Sequence, residues 1–79
     1  MILHLTVSSF LELFVPSSTH FGNQELDLAE GVTVADVLKM AGIPEELAIL
    51  VVLNEDSCSD DATTLHHGDR LEIFPGMMG

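Results

Sequence analysis

Gly68-Asp69-Arg70-Leu71-Glu72-Ile73-Phe74-Pro75-Gly76-Met77-Met78-Gly79 closes the chain and reads as a tight turn, a short strand, a stop and a tail. Leu71 and Ile73 alternate with Arg70, Glu72 and Phe74, the period-2 pattern of a strand with one buried face. Phe74 falls on the opposite, outer face. Pro75 has no N–H to give to a ladder, so pairing stops there. Four residues remain, two of them glycine. Extended, they reach about 13–14 Å beyond the last strand. The spacing therefore predicts a folded domain over 1–75 and a thin tail over 76–79 that presents a terminal carboxylate at Gly79.

Working backwards, Ile49-Leu50-Val51-Val52-Leu53 is a continuous apolar run of strand length. Such a run marks a strand covered on both faces, or one that leaves an apolar patch on its outer face. Before it, Thr33 reads as a helix N-cap with Asp36 three residues on, an aspartate form of the capping box. Val34, Val37, Leu38 and Ala41 follow as one apolar stripe. Gly42 and Pro44 are the stop signals. These signals predict a short helix over Val34–Ala41. Ile2–Val7 alternates with Leu3, Leu5 and Val7 on one face and His4 on the other, and Glu25–Leu28 alternates as a second strand. Thr63-Thr64-Leu65 is a candidate edge segment.

The predicted order is strand, strand, helix, strand, turn, strand. The first two strands form a hairpin, and the first and last lie together in the middle. That is an α+β, ubiquitin-like β-grasp arrangement: a mixed sheet of four to five strands with one main helix across one face. Ser8–Gln24 fits less well. Phe10, Leu11, Leu13, Phe14, Val15 and Phe21 are too apolar for an ordinary loop. They read as a satellite cluster capping the core, or as a partner-docking surface.

Composition narrows the function. The chain has 79 residues, enough for one small domain. Thirteen acidic residues face only Lys39 and Arg70, for a formal net charge of −11. Nucleic acid and anionic membranes both require a basic footprint, so neither is an expected partner. A basic protein surface is. Cys58 is the only cysteine, so there is no internal disulfide. Met1–Val7 is too short and uncharged for a signal peptide, and no apolar run nears the roughly 20 residues that span a bilayer. The expected location is cytoplasmic.

No residue set in the chain promises chemistry of its own. His66 and His67 are adjacent and point opposite ways on an extended chain, so no metal site is expected there. Cys58 sits in an acidic loop with Asp60 and Asp61 and is not an expected nucleophile. Asp60-Asp61 and Glu45-Glu46 read as solvated surface. A chain with one helix leaves little room for a pocket, and no tightly bound cofactor is expected. The chain is expected to catalyse nothing alone.

Taken together, certain residues resemble the MoaD/ThiS family of sulfur carriers. They are Gly31-Val32-Thr33-Val34 opening the helix, Val51-Val52-Leu53-Asn54 on a central strand, and Leu65, Gly68-Asp69, Leu71 and Ile73-Phe74-Pro75 before a terminal glycine. The family comprises the small subunit of molybdopterin synthase and the sulfur carrier of thiazole synthesis. The resemblance implies a terminal glycine, here Gly79, that a ubiquitin-activating-type enzyme adenylates using ATP and magnesium. The acyl-adenylate becomes a thiocarboxylate that donates sulfur. It further implies a tail of Gly76, Met77 and Met78, a docking patch at Phe74 and Pro75, and a second partner. That partner would be the molybdopterin synthase large subunit, which the chain length and Phe-Pro pair favour, or thiazole synthase.

Two positions depart from the family pattern. Met78 stands where a penultimate glycine is usual, and Asn54-Glu55 replaces an Asn-Gly turn, which raises the prospect of a different turn type. The competing reading is a β-grasp interaction module whose tail carries no chemistry.

Overall fold

The computed structural model describes residues 1–11, 21–44, 47, 49–58 and 60–76. The first strand, β1 (Ile2–Val7), buries Leu3, Leu5 and Val7 and turns Ile2, His4 and Thr6 to the other face. Its antiparallel neighbour β2 spans Gly22–Asp27, with Leu3 opposite Leu26 and His4 opposite Glu25. This strand starts three residues before the alternating stretch at Glu25. Gly22-Asn23-Gln24 carries no strand signal of its own, and pairing with Val7, Thr6 and Leu5 recruits it. Tertiary context outweighs weak propensity here.

The helix α1 spans Val34–Ala41, as the stripe predicts. Thr33 Oγ1 accepts the Asp36 N–H and Asp36 Oδ2 accepts the Thr33 N–H, which completes the capping box. At the other end Gly42 takes φ 81°, a left-handed conformation that glycine adopts without a Cβ penalty. The helix packs through Val34 and Val37, both fully buried, while Leu38 and Ala41 are only half-buried.

Three strands complete the sheet: β3 (Ile49–Leu53), β4 (Asp56–Ser57) and β5 (Arg70–Pro75). Among the described residues the order is β2-β1-β5-β3-β4. The two central strands β1 and β5 run parallel, and the other pairs are antiparallel. The architecture is the expected mixed β-grasp sheet with one helix. Asn54 and Glu55 join β3 to β4 with φ 51° and 73°. Positive φ at both central residues is the signature of a type I′ hairpin turn, so Glu55 occupies the position usually filled by glycine.

Leu3, Leu5, Val7, Leu11, Val34, Val37, Leu65, Leu71 and Ile73 form the innermost core. Each fully buried Val, Leu or Ile side chain contributes about 1.5–3 kcal/mol relative to exposure. Leu65 belongs to this core and not to an added edge strand. Its N–H bonds Val32 O at 2.8 Å, and Thr64 makes only an isolated bridge with Thr33. Ser9–Leu11 forms one 3-10 turn that buries Leu11 and leaves Phe10 78% exposed. The capping reading therefore holds for Leu11, and Phe10 faces solvent. Residues 12–20, with Leu13, Phe14 and Val15, lie outside the described set.

Candidate docking face and carrier tail

The last strand positions the candidate site. Leu71 and Ile73 on β5 point into the core, so alternation turns Phe74 to the outer face of the sheet. Phe74 lies directly opposite Leu50 on β3, and Glu72 lies opposite Val52. Phe74 is half-buried, and Leu50 is 47% exposed. Val52 sits two residues along β3 on the same face, so the three apolar side chains share one side of the sheet. Glu72 stands among them with its carboxylate.

The same face becomes polar toward β1 and β2. His4, Thr6, Asn23, Glu25, Arg70 and Glu72 line a shallow concavity there. His4 Nδ1 lies 3.7 Å from Glu25 Oε2, and Thr6 Oγ1 donates to Asn23 Oδ1 at 2.7 Å. The outer face thus has an apolar half over β3 and β5 and a polar half over β1 and β2. Leu50 and Val52 are residues that sequence reasoning did not single out as docking candidates. The signal was available, because a continuous apolar run leaves one face uncovered when a sheet carries a helix on one side only.

Pro75 ends β5 and pairs with Ile49, the first residue of β3. Its position in the alternation places it on the helix side of the sheet, away from Phe74. Phe74 and Pro75 are therefore neighbours in sequence on opposite faces. Gly76 is described and half-exposed; Met77, Met78 and Gly79 lie outside the described residues.

The remaining candidates sit in local structure. His67 Nδ1 accepts the Ile2 N–H at 2.9 Å, and His66 Nδ1 lies 3.9 Å from Asp69 Oδ2. Among the described residues no three His, Cys, Asp or Glu side chains converge as metal ligands do. Cys58 is half-buried, its Sγ 3.4 Å from Asp60 O and 3.7 Å from Thr63 Oγ1. Glu45 and Glu46 lie outside the described residues. Contrary to expectation the fold does carry a groove, between α1 and β3, where aliphatic side chains such as Leu38, Ile49 and Val51 are joined by Lys39, Cys58 and Asp61. No described helix is long and apolar enough to cross a membrane.

The model of the ThiS family matches residues 11–79, which span every strand but β1, the helix and the tail. The chain belongs to the ThiS family. Its members are small β-grasp sulfur carriers and not enzymes themselves. No curated protein matches the chain.

Solved structures agree on the fold. The thiamine biosynthesis protein ThiS of Geobacter metallireducens is 25% identical, with a TM-score of 0.60 over 96% of this chain and 97% of that one. SAMP1 from Haloferax volcanii superposes with a TM-score of 0.70 at 17% identity, covering 100% and 99% of the two chains. A chain from the complex of subunits 1 and 2 of the Helicobacter pylori molybdopterin-converting factor has a TM-score of 0.63 at 15% identity, covering 100% and 99%. ThiS-family identity and the Phe74–Leu50 face bear on the same question: what this chain presents to a partner.

Proposed function

We propose that this ThiS-family chain carries sulfur as a thiocarboxylate on Gly79. A partner adenylating enzyme first makes the carboxylate reactive: a carboxylate oxygen attacks the α-phosphorus of magnesium-bound ATP and pyrophosphate leaves. The acyl-adenylate then meets a sulfide equivalent from a sulfur donor, which attacks the acyl carbon. AMP leaves, and one oxygen of the carboxylate has been replaced by sulfur. The protein's own contribution is presentation. β5 holds the start of the tail rigidly, and the absence of a Cβ at Gly79 leaves the reacting carbon unhindered.

Phe74, Leu50 and Val52 form the docking patch in this reading, with Pro75 setting the direction in which the tail leaves. An apolar centre with charged surroundings is the usual composition of a specific interface. The chain's net charge of −11 calls for a basic rim on the partner. The observation that carries the proposal is family membership over residues 11–79 combined with a last strand that ends four residues before Gly79.

The sulfur goes on to a second partner. The molybdopterin synthase large subunit is the preferred recipient on the strength of the chain length and the Phe74-Pro75 pair. The family match and the 25% identity to a thiamine biosynthesis protein favour thiazole synthase as the second reading. The site of action is the cytoplasm, where ATP and the sulfur donor are at hand. Incubating the thiocarboxylated protein separately with each acceptor enzyme and its substrate, and following loss of sulfur by intact mass, distinguishes the two. Loss to neither enzyme would remove both recipients.

A further inference from the structure

Lys39 and Arg70 are the only Lys or Arg residues of the chain, and Arg70 shares the outer face of β5 with Glu72 and Phe74. Its backbone is held on the β3 side: Asn54 Oδ1 accepts the Arg70 N–H at 2.9 Å, and the Arg70 carbonyl accepts the Asn54 N–H at 2.8 Å. The side chain therefore projects from a fixed base. His4 lies opposite it on β1 and stands 3.7 Å from Glu25. Among the described residues neither the Arg70 guanidinium nor the Glu72 carboxylate makes an ion pair, although both line one concavity with Glu25. Their charges are left to solvent or to a partner.

A partner seated on the Phe74–Leu50 pair would cover both. A standard interface takes about 800 Å² from each side, a disc that reaches about 16 Å from its centre. Glu72 lies two residues from Phe74 along β5 and Arg70 four, about 7 and 13 Å. Burial of a charge is strongly unfavourable unless it is paired and hydrogen-bonded. The covering surface must therefore bring an acceptor to Arg70 and a donor to Glu72. A carboxylate meets a guanidinium through two parallel hydrogen bonds, which fixes direction as well as sign. A second copy of the chain is a poor candidate for that surface, because each copy carries a net charge of −11.

We propose that Arg70 and Glu72 set the register of the docked adenylating enzyme, with an enzyme carboxylate seated on Arg70 and an enzyme Lys or Arg on Glu72. The inference rests on the reading that this enzyme docks on the outer face. It differs from charge steering, in which any cation on so acidic a chain opposes association with a basic surface. Opposite charges two residues apart also select against a partner that is basic throughout.

Arg70→Glu and Lys39→Glu test it, because each replaces one positive charge by one negative charge. Lys39 is exposed on α1, across the sheet from Arg70. Association and dissociation rates with the cognate adenylating enzyme are measured for each variant, with its Tm as the check on folding. Arg70→Glu is expected to bind roughly tenfold or more weakly than wild type, chiefly through faster dissociation, with Arg70→Gln between the two. Glu72→Arg is expected to lose affinity in the same way. Lys39→Glu is expected to associate as fast as wild type or faster. Arg70→Glu that binds as tightly as Lys39→Glu, or a loss that the two share, would overturn the proposal. No binding by wild type would overturn the docking reading together with this pair, a result distinct from indifference to Arg70 in a protein that binds.

Discussion

Phe74 and Leu50 face each other across β5 and β3 on the outer side of the sheet, Phe74 half-buried and Leu50 47% exposed. A directly opposed aromatic–aliphatic pair stabilises a sheet by about 0.2–1 kcal/mol. That is too little to account for keeping two large apolar side chains at the surface of so small a domain. Under the proposed function the pair is the centre of the docking patch.

Leu50→Ala and Phe74→Ala are therefore expected to leave the domain folded while each weakens binding to the cognate adenylating enzyme. Central apolar contacts of an interface cost about 1–4 kcal/mol on truncation, roughly tenfold or more in Kd. Titration calorimetry with each variant measures this. Added salt is expected to slow association, because steering between an acidic carrier and a basic surface is screened beyond about 10 Å at 0.1 M. Wild-type affinity in both variants would move the docking site elsewhere, with exposed Phe10 as the next candidate.

The core gives a contrast within one helix. Val37 is fully buried and Leu38 is half-buried at the groove. Val37→Asp is expected to unfold the protein, since an unpaired charge would be placed inside the core. Leu38→Asp is expected to lower the midpoint of denaturation while leaving a cooperative transition. Equal effects would show that the helix is rotated about its axis relative to this description.

Much of this arrangement was legible in the sequence where local signals and tertiary demands coincide. β1, α1, β3 and β5 are such cases, because their alternation, stripe or apolar run matches the face they bury. β2 was shifted because Gly22-Asn23-Gln24 joins the sheet only through its partner strand. Leu65 looked like part of an edge, since its buried position depends on a bond to Val32 that is remote in sequence. The apolar run from Ile49 to Leu53 could not say which residues face water. That depends on the single helix covering one side, which leaves Leu50 out. For the candidate site, the outward position of Phe74 followed from alternation alone, whereas its partner Leu50 needed the register.

The β3–β4 turn offers a stabilising substitution. Glu55 holds φ 73°, a left-handed conformation that costs a residue with a Cβ about 1–2 kcal/mol. Glu55→Gly removes that strain and adds backbone entropy to the unfolded chain, for an expected net gain of about 0.5–1 kcal/mol. Asn54 is in contrast fixed by its side chain, which donates to Asp69 Oδ1 and accepts the Arg70 N–H. Asn54→Ala is expected to cost about 1–3 kcal/mol. Urea denaturation of the two variants checks both signs.

The capping box predicts a pH dependence. The Thr33 backbone N–H, followed by its hydroxyl, holds the Asp36 carboxyl below its ordinary pKa, with Lys39 adding a smaller push. A depressed carboxylate pKa means that the folded form favours the ionised group. The stabilisation is therefore complete above the ordinary aspartate value of about 3.9 and is lost as pH falls through the lowered value. The difference in Tm between wild type and Asp36→Asn is expected to be constant near neutrality and to shrink below about pH 4. A difference that stays constant in acid would show that the carboxylate charge contributes nothing to the cap.

Intact-mass spectrometry tests the central claim. The protein is incubated with ATP, magnesium, the cognate adenylating enzyme and a sulfur donor, and the tail is then sequenced by fragmentation. The predicted result is a transient AMP adduct followed by replacement of one oxygen by sulfur on Gly79, abolished by deleting Gly79 and untouched by Cys58→Ser. An unmodified tail on a protein that still binds its partner would contradict the carrier mechanism and leave a β-grasp interaction module in its place.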